Sequence, residues 1–119
     1  MASILLVDDS ASMREMVSFT LTDAGHEVKE AEDGVEALKF AKEESVDLVI
    51  TDVNMPNMDG ITLTKELREL GNYKFTPILI LTTETGSDKK YQGKVAGATG
   101  WIEKPFDPDS LLSTVNRVL

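Results

Sequence analysis

The chain has 119 residues, with 12 Lys and Arg against 21 Asp and Glu, a formal charge of −9 at neutral pH. That length predicts one domain, and an apolar fraction of 41% is enough for an ordinary core. The absence of cysteine excludes disulfides and thiolate sites, no apolar run spans a membrane, no leader pattern opens the chain, and the net charge opposes nucleic-acid or acidic-membrane binding.

A soluble cytoplasmic domain is therefore expected. Ser3–Asp8 is an apolar run that stops at two acids, the pattern of a buried strand. Ala11–Ala24 sets Met13, Met16, Val17, Leu21 and Ala24 on one helical face and ends at Gly25. Ser12-x-x-Glu15 matches a capping box at its start. His26 falls in the following turn, read as a solvated residue, and Glu27–Ala31 is a weakly apolar strand suited to a sheet edge. Asp33, with Glu36 three residues on, caps a helix with Val35, Leu38 and Ala41 as its inner stripe. Asp47–Thr51 is a further apolar run ending at an acid, Asp52.

Asn54–Gly60 has loop chemistry in Pro56 and Asp59-Gly60, and Ile61–Leu70 is helical, with Leu63, Leu67 and Leu70 on one side. Tyr73 and Phe75 read as loop anchors, and Met55 and Met58 as turn packing. Pro77–Thr82 is the most apolar strand. Ser87 caps a helix over Asp88–Gly97, in which Gly93 costs about 1 kcal/mol relative to alanine. Gly93 and Gly97 share a membrane-dimer spacing, but Lys89, Lys90 and Lys94 exclude a lipid setting, and the pair reads as loosening this helix. Gly100–Glu103 is a short strand. Asp107 as cap and Pro108 at the first helical position open the last helix, with Leu111, Leu112, Val115 and Val118 as its stripe.

Five alternating strand–helix pairs predict a doubly wound α/β fold, a parallel sheet covered on both faces. Ligands of such folds bind beyond the carboxyl ends of the strands. Asp8-Asp9, Asp52, Thr82-Thr83 and Lys104-Pro105 all stand where strands stop, so they should converge on one edge. Two carboxylates about 5 Å apart repel by roughly 3 kcal/mol at an effective dielectric of 20, which favours a bound proton or divalent cation. Oxygen-only ligands select Mg²⁺, with Mn²⁺ or Ca²⁺ as substitutes. Acids at strand ends also serve as helix caps, and Asp9 alone admits that reading. Asp8, Asp9, Asp52, Thr82 and Lys104 gathered at strand ends exceed it.

The acidic pair in LLVDDS, the stretch DLVITDVNMPNMDG, the hydroxyls in LILTTE and the lysine in GWIEKPF resemble a two-component response-regulator receiver domain. The resemblance covers essentially the whole chain. It implies a flavodoxin-like (βα)5 fold with strand order 2-1-3-4-5, bound Mg²⁺ and phosphorylation of the central aspartate. On this resemblance Asp52 is the phosphoacceptor, and Asp8, Asp9 and the backbone carbonyl of Asn54 complete the metal site. Lys104 pairs with the phosphoryl group through a segment whose Lys104–Pro105 bond is often cis. Thr82 is the switch hydroxyl, and Trp101 replaces the switch aromatic, usually Tyr or Phe. Thr83 stands where the family favours a small residue.

The resemblance further implies self-catalysed transfer from a phosphohistidine of a sensor histidine kinase, since His26, the only histidine here, lies at the opposite edge of the sheet. Asn54 and Glu84 would orient a hydrolytic water, and together with the NMPNMDG loop they favour the stand-alone chemotaxis regulators. With no output domain after Leu119, the output is expected to be binding by a monomer: to a flagellar-motor switch protein, or alternatively to another phosphotransfer protein in a phosphorelay. A phosphatase is a possible further partner. Gly86–Pro105 holds four lysines and two acids, so the fourth helix and fifth strand, which with the fifth helix make the expected switch surface, form the least acidic stretch.

Three rival readings have their own requirements. A flavin module needs a hydroxyl- and glycine-rich phosphate loop where Asp8-Asp9 stand. An aspartyl phosphatase typically has a second aspartate two residues after the nucleophile, where Asn54 stands. A degenerate receiver would lack part of the acidic set.

Overall fold

The first apolar run sends alternate side chains to opposite faces, and both faces find a cover. The computed structural model describes residues 1–119. In β1 (Ser3–Val7), Ile4 and Leu6 face one side of the sheet, Leu5 and Val7 the other, as the two-residue period of a strand requires. Around it run β2 (Glu27–Ala31), β3 (Leu48–Thr51), β4 (Ile78–Thr82) and β5 (Gly100–Glu103), all parallel, in the order β2-β1-β3-β4-β5. This is the expected flavodoxin-like order. β2 lies at an edge, which accounts for its low apolar content.

Five helices follow the five strands: α1 (Ala11–Asp23), α2 (Gly34–Glu43), α3 (Gly60–Arg68), α4 (Ser87–Ala96) and α5 (Pro108–Val118). Val17 and Leu21 of α1 pack with Leu111 and Val115 of α5 against Ile4, Leu6, Leu48, Ile50, Leu79 and Leu81. Ala37 and Ala41 of α2 and Leu63 and Leu67 of α3 pack on the other face with Leu5, Val7 and Val49. Each fully buried leucine or isoleucine contributes roughly 1.5–3 kcal/mol of transfer free energy. The two layers hold the central strands rigid from both sides, and the site stands on the ends of those strands.

Several local expectations are corrected. The α1 cap is Ser10, whose hydroxyl accepts from the Met13 N–H, so Ser12 and Glu15 lie inside the helix. Met16 is exposed, as is Val35 in α2, because each sits one step outside the stripe that the sheet covers, and Ala24 is exposed as the C-cap beyond the end of α1. Asp59-Gly60 is a helix start: Asp59 accepts from the Thr62 N–H, and α3 ends at Arg68, before Leu70. Ser87 is the first residue of α4, and Gly86 precedes it with no side-chain cap. Asp33 and Asp107 cap α2 and α5 as expected, through the N–H groups of Glu36 and Ser110.

The approach to β4 needs an anchor, and of its two aromatic residues Tyr73 provides it. Its ring is fully buried and its hydroxyl donates to the Glu44 carbonyl at 2.6 Å, while Phe75 is 89% exposed. Burial pushes the Tyr73 pKa up. Arg68, which the apolar pattern gave no reason to single out, donates to the carbonyls of Tyr73, Thr76 and Gly97. It thereby ties the end of α4 to the segment entering β4. His26 is half-buried, not a free loop residue, and its Nδ1 accepts from the Ala2 N–H at 3.1 Å.

Candidate functional site

Val7 of β1 and Thr51 of β3 are register partners, so the acids that follow them leave the sheet side by side. The ladder runs one residue further on each: the Asp8 N–H donates to the Ala31 carbonyl and the Asp52 N–H to the Val7 carbonyl. Both carboxylates are thus carried by backbone that is still hydrogen-bonded. Asp9, exposed in the next position, completes a cluster in which one oxygen from each of Asp8, Asp9 and Asp52 lies within 4.8 Å of the others.

Lys104 enters from the far side. It follows β5, its N–H donates to the Thr82 carbonyl, and its Nζ lies 2.7 Å from Asp8 Oδ2 and 2.9 Å from Asp52 Oδ2. The three side chains keep only 8%, 4% and 12% of their surface in contact with solvent. Burial by itself disfavours the ammonium, but the hydrogen bonds and charges of Asp8 and Asp52 outweigh it and raise the Lys104 pKa. The Lys104 ammonium therefore stays charged throughout the neutral range. The Lys104–Pro105 bond is cis.

Other groups hold the acids in place. The Ser10 N–H donates to Asp8 Oδ1 at 2.9 Å, and the Val53 N–H to Asp52 Oδ1 at 2.6 Å. Arg14 of α1 donates to the Asp8 carbonyl at 2.6 Å and pairs with Glu30 of β2. The Thr51 hydroxyl donates to the Asp52 carbonyl, and Gly60 lies so close beneath that carbonyl that a Cβ there would overlap its oxygen. Arg14 and Gly60 are additions to the residues read from sequence. Arg14 carries no strand-end signal, and Gly60 stood inside what read as loop chemistry.

Thr82, fully buried at the end of β4, makes no hydrogen bond to the acids. Its hydroxyl accepts from the Glu84 N–H at 3.2 Å. The Glu84 carbonyl in turn accepts from the Trp101 indole N–H at 3.1 Å, and its carboxylate from the Gly86 N–H. Thr83 is exposed beside them. Asn54 is exposed at the start of the β3–α3 loop, and its carbonyl accepts no hydrogen bond from the chain.

The donor set suits a hard divalent cation. Every candidate ligand is an oxygen, and three carboxylates against one ammonium leave two charges uncompensated. The free Asn54 carbonyl is available as a neutral ligand. Among the pockets of doubly wound folds, an acidic cleft with a buried lysine differs from a flavin site, which must accept an anionic phosphate.

Residues 4–116 match the response regulator receiver domain family. The chain belongs to that family. Receiver domains are signalling proteins, phosphorylated by histidine kinases, that act on targets. The CheY chemotaxis protein homologue of Campylobacter jejuni is 43% identical over 118 residues, 98% of this receiver and 91% of that protein. The solved chemotaxis protein CheY4 of Vibrio cholerae is 57% identical, with a TM-score of 0.95 over 100% of this receiver and 99% of that chain. The receiver domain of a sensor histidine kinase from Pseudomonas aeruginosa was solved with a magnesium ion coordinated in its active-site cleft. It is 28% identical, with a TM-score of 0.91 over 98% of this receiver and 95% of that chain. The receiver is CheY-like, and its signalling is switched by phosphorylation.

Proposed function

We propose that Asp52 is the residue that takes the phosphoryl group, and that phosphorylation alters the surface formed by α4, β5 and α5. The observation that carries this reading is the meeting of Asp52 with Lys104 and two further acids at the carboxyl edge of the central strands. Transfer breaks the N–P bond of a phosphohistidine and forms a P–O bond to an Asp52 carboxylate oxygen. The electron pair of the broken bond leaves on the histidine nitrogen.

A carboxylate is a weak nucleophile, so the chain contributes position and charge. The Val53 N–H fixes one Asp52 oxygen and Lys104 the other, which removes rotational freedom from the nucleophile. Lys104 also bridges to Asp8, and it turns toward the phosphoryl oxygens as they arrive, offsetting their charge. Asp8, Asp9, Asp52 and the Asn54 carbonyl are the residues that would hold Mg²⁺, or Mn²⁺ in its place. Bound there, the cation supplies charge neutralisation for both acids and phosphoryl oxygens.

The phosphoryl group brings about −1.5 to −2 charges. The Thr82 hydroxyl, an acceptor from Glu84, still has its own proton to donate to a phosphoryl oxygen. Its movement withdraws the acceptor from the Glu84 N–H and so biases the β4–α4 loop. Asn54 and Glu84 orient the water that later hydrolyses the acyl phosphate, which returns Asp52 to its free carboxylate and resets the switch; the protein acts on its own phosphoryl group as a signalling switch.

The phosphodonor we propose is a CheA-type sensor histidine kinase, and the target a FliM-type flagellar-motor switch protein in the cytoplasm. The chemotaxis names of the relatives support this, and no helix is long and apolar enough to cross a membrane. The test is phosphoryl uptake from a small phosphodonor, read by intact mass. Wild type should gain one phosphoryl group in a Mg²⁺-dependent manner, and Asp52→Asn none. Equal uptake by the variant removes Asp52 from this role. Binding of the phosphorylated form to a phosphotransfer protein, but not to the motor protein, would place the chain in a phosphorelay.

A further inference from the structure

The membrane-dimer spacing of Gly93 and Gly97 has two separate explanations. Gly97 ends α4 in the left-handed region, at φ 111°, and its N–H closes the last turn. Gly93 is four residues from that end, inside the helix, where glycine is costly and no positive φ calls for it. It is buried, and a Cβ at Gly93 would stand 2.9 Å from the Trp101 ring atom Cζ3, closer than packed carbon atoms approach. The indole edge occupies the space a side chain would need.

We propose that Gly93 is the positioning residue that seats Trp101 inward, against α4, before any phosphoryl group arrives. The proposal concerns regulation of the site described above and rests on that reading. Two contacts define the seat. The ring edge lies over Gly93, and the indole N–H donates to the Glu84 carbonyl. Glu84 is the same residue whose N–H is held by Thr82. One peptide segment therefore links the switch hydroxyl to the indole through two hydrogen bonds. A tryptophan is larger than the usual switch tyrosine or phenylalanine, and the missing side chain at position 93 makes the room.

The ring also has somewhere to go if the seat is lost. A hollow of about 280 Å³ opens beside it, lined by Lys90, Lys94, Ala98, Thr99 and Gly100. A methyl group at position 93 displaces the indole toward this hollow and breaks its bond to Glu84. The consequence is that Trp101 stays in one place in both states of the wild-type protein. The phosphorylation signal then leaves through the Thr82–Glu84 step of the loop and not through rotation of the aromatic ring.

Trp101 is the only tryptophan, so its fluorescence reads the seat directly. In the unphosphorylated protein, quenching by iodide should rise severalfold in Gly93→Ala, with a red-shifted emission, while phosphoryl uptake at Asp52 remains at the wild-type level. A small phosphodonor with Mg²⁺ should change wild-type quenching little. Equal quenching of wild type and Gly93→Ala, or a large increase in shielding when wild type is phosphorylated, overturns the proposal. Indole N–H exchange, read by NMR on unmodified wild type, covers the case in which Gly93→Ala fails to fold. Exchange slowed relative to a free indole supports the seat, and exchange at the free rate refutes it. Loss of uptake by wild type would count against Asp52 as acceptor, while the unphosphorylated measurements still decide the seat.

Discussion

Lys104 Nζ lies 2.9 Å from Asp52 Oδ2 although the two residues are 52 positions apart in the chain. The contact exists because β3 and β5 flank β4, and the lysine that follows β5 reaches across the end of β4 to the acids. Lys104→Ala leaves Asp8 and Asp52 buried without their cation. Breaking such a pair from one side costs roughly 3–5 kcal/mol. Urea unfolding without Mg²⁺ should show a loss of that order, and added Mg²⁺ should recover part of it. Phosphoryl uptake should fall, because the charge that offsets the incoming oxygens is gone. A variant as stable as wild type in the absence of Mg²⁺ would show that the pair is not formed in solution.

Gly60→Ala tests the packing under the acceptor. A Cβ there overlaps the Asp52 carbonyl oxygen, which is backbone and has no rotamer to escape into. Overpacking of this kind costs about 1–3 kcal/mol, and this site belongs at the upper end. The β3–α3 junction must shift, so phosphoryl uptake should slow along with the loss of stability. Urea denaturation and initial uptake rates measure both.

Asp33 predicts an acid limb. Hydrogen bonds from the Glu36 N–H and the Asn57 side chain lower its pKa. A depressed carboxylate stabilises the fold at pH values above its unfolded pKa, and that contribution disappears as pH falls through the folded value. Asp33→Ala should cost about 1 kcal/mol near neutrality, the usual value of an N-cap. The difference from wild type should shrink in acid, below the ordinary aspartate range. Urea midpoints measured across that range give the comparison. A constant difference would assign the effect to packing instead of the ionised cap.

The proposed role of Asn54 and Glu84, two residues beyond Asp52 and Thr82 respectively, is in hydrolysis of the acyl phosphate. Asn54→Lys combined with Glu84→Ala should slow decay of the phosphorylated form severalfold, measured after removal of the phosphodonor. An unchanged decay rate takes both residues out of this role.

The strands and the site acids could be read from the chain because each rests on a local signal. An apolar run ending in a polar residue marks both the strand and the edge where its successor stands, as at Asp8, Asp52, Thr82 and Lys104. What sequence could not show depends on which backbone passes close by. Gly60 matters because the Asp52 carbonyl lies over it, and Gly93 because Trp101 does. Arg68 satisfies carbonyls from separate segments, and Arg14 ties α1 to Asp8 and β2. None of these has a periodic signature. Helical stripes also overreach by a residue or two, as Met16 and Val35 show, because the sheet covers a narrower band than the apolar spacing suggests. Ser87 has the residue type of a cap, yet the helix starts on it, with Gly86 before it.

Phosphorylation of Asp52 can be located by chemical mapping. Protein treated with a small phosphodonor and Mg²⁺ is reduced with borohydride, which converts an aspartyl phosphate to homoserine, and the peptides are sequenced by mass spectrometry. Homoserine is expected at position 52 alone, dependent on both phosphodonor and Mg²⁺. Homoserine at Asp8 or Asp9, or an unmodified Asp52 in protein that has gained a phosphoryl group, would contradict it.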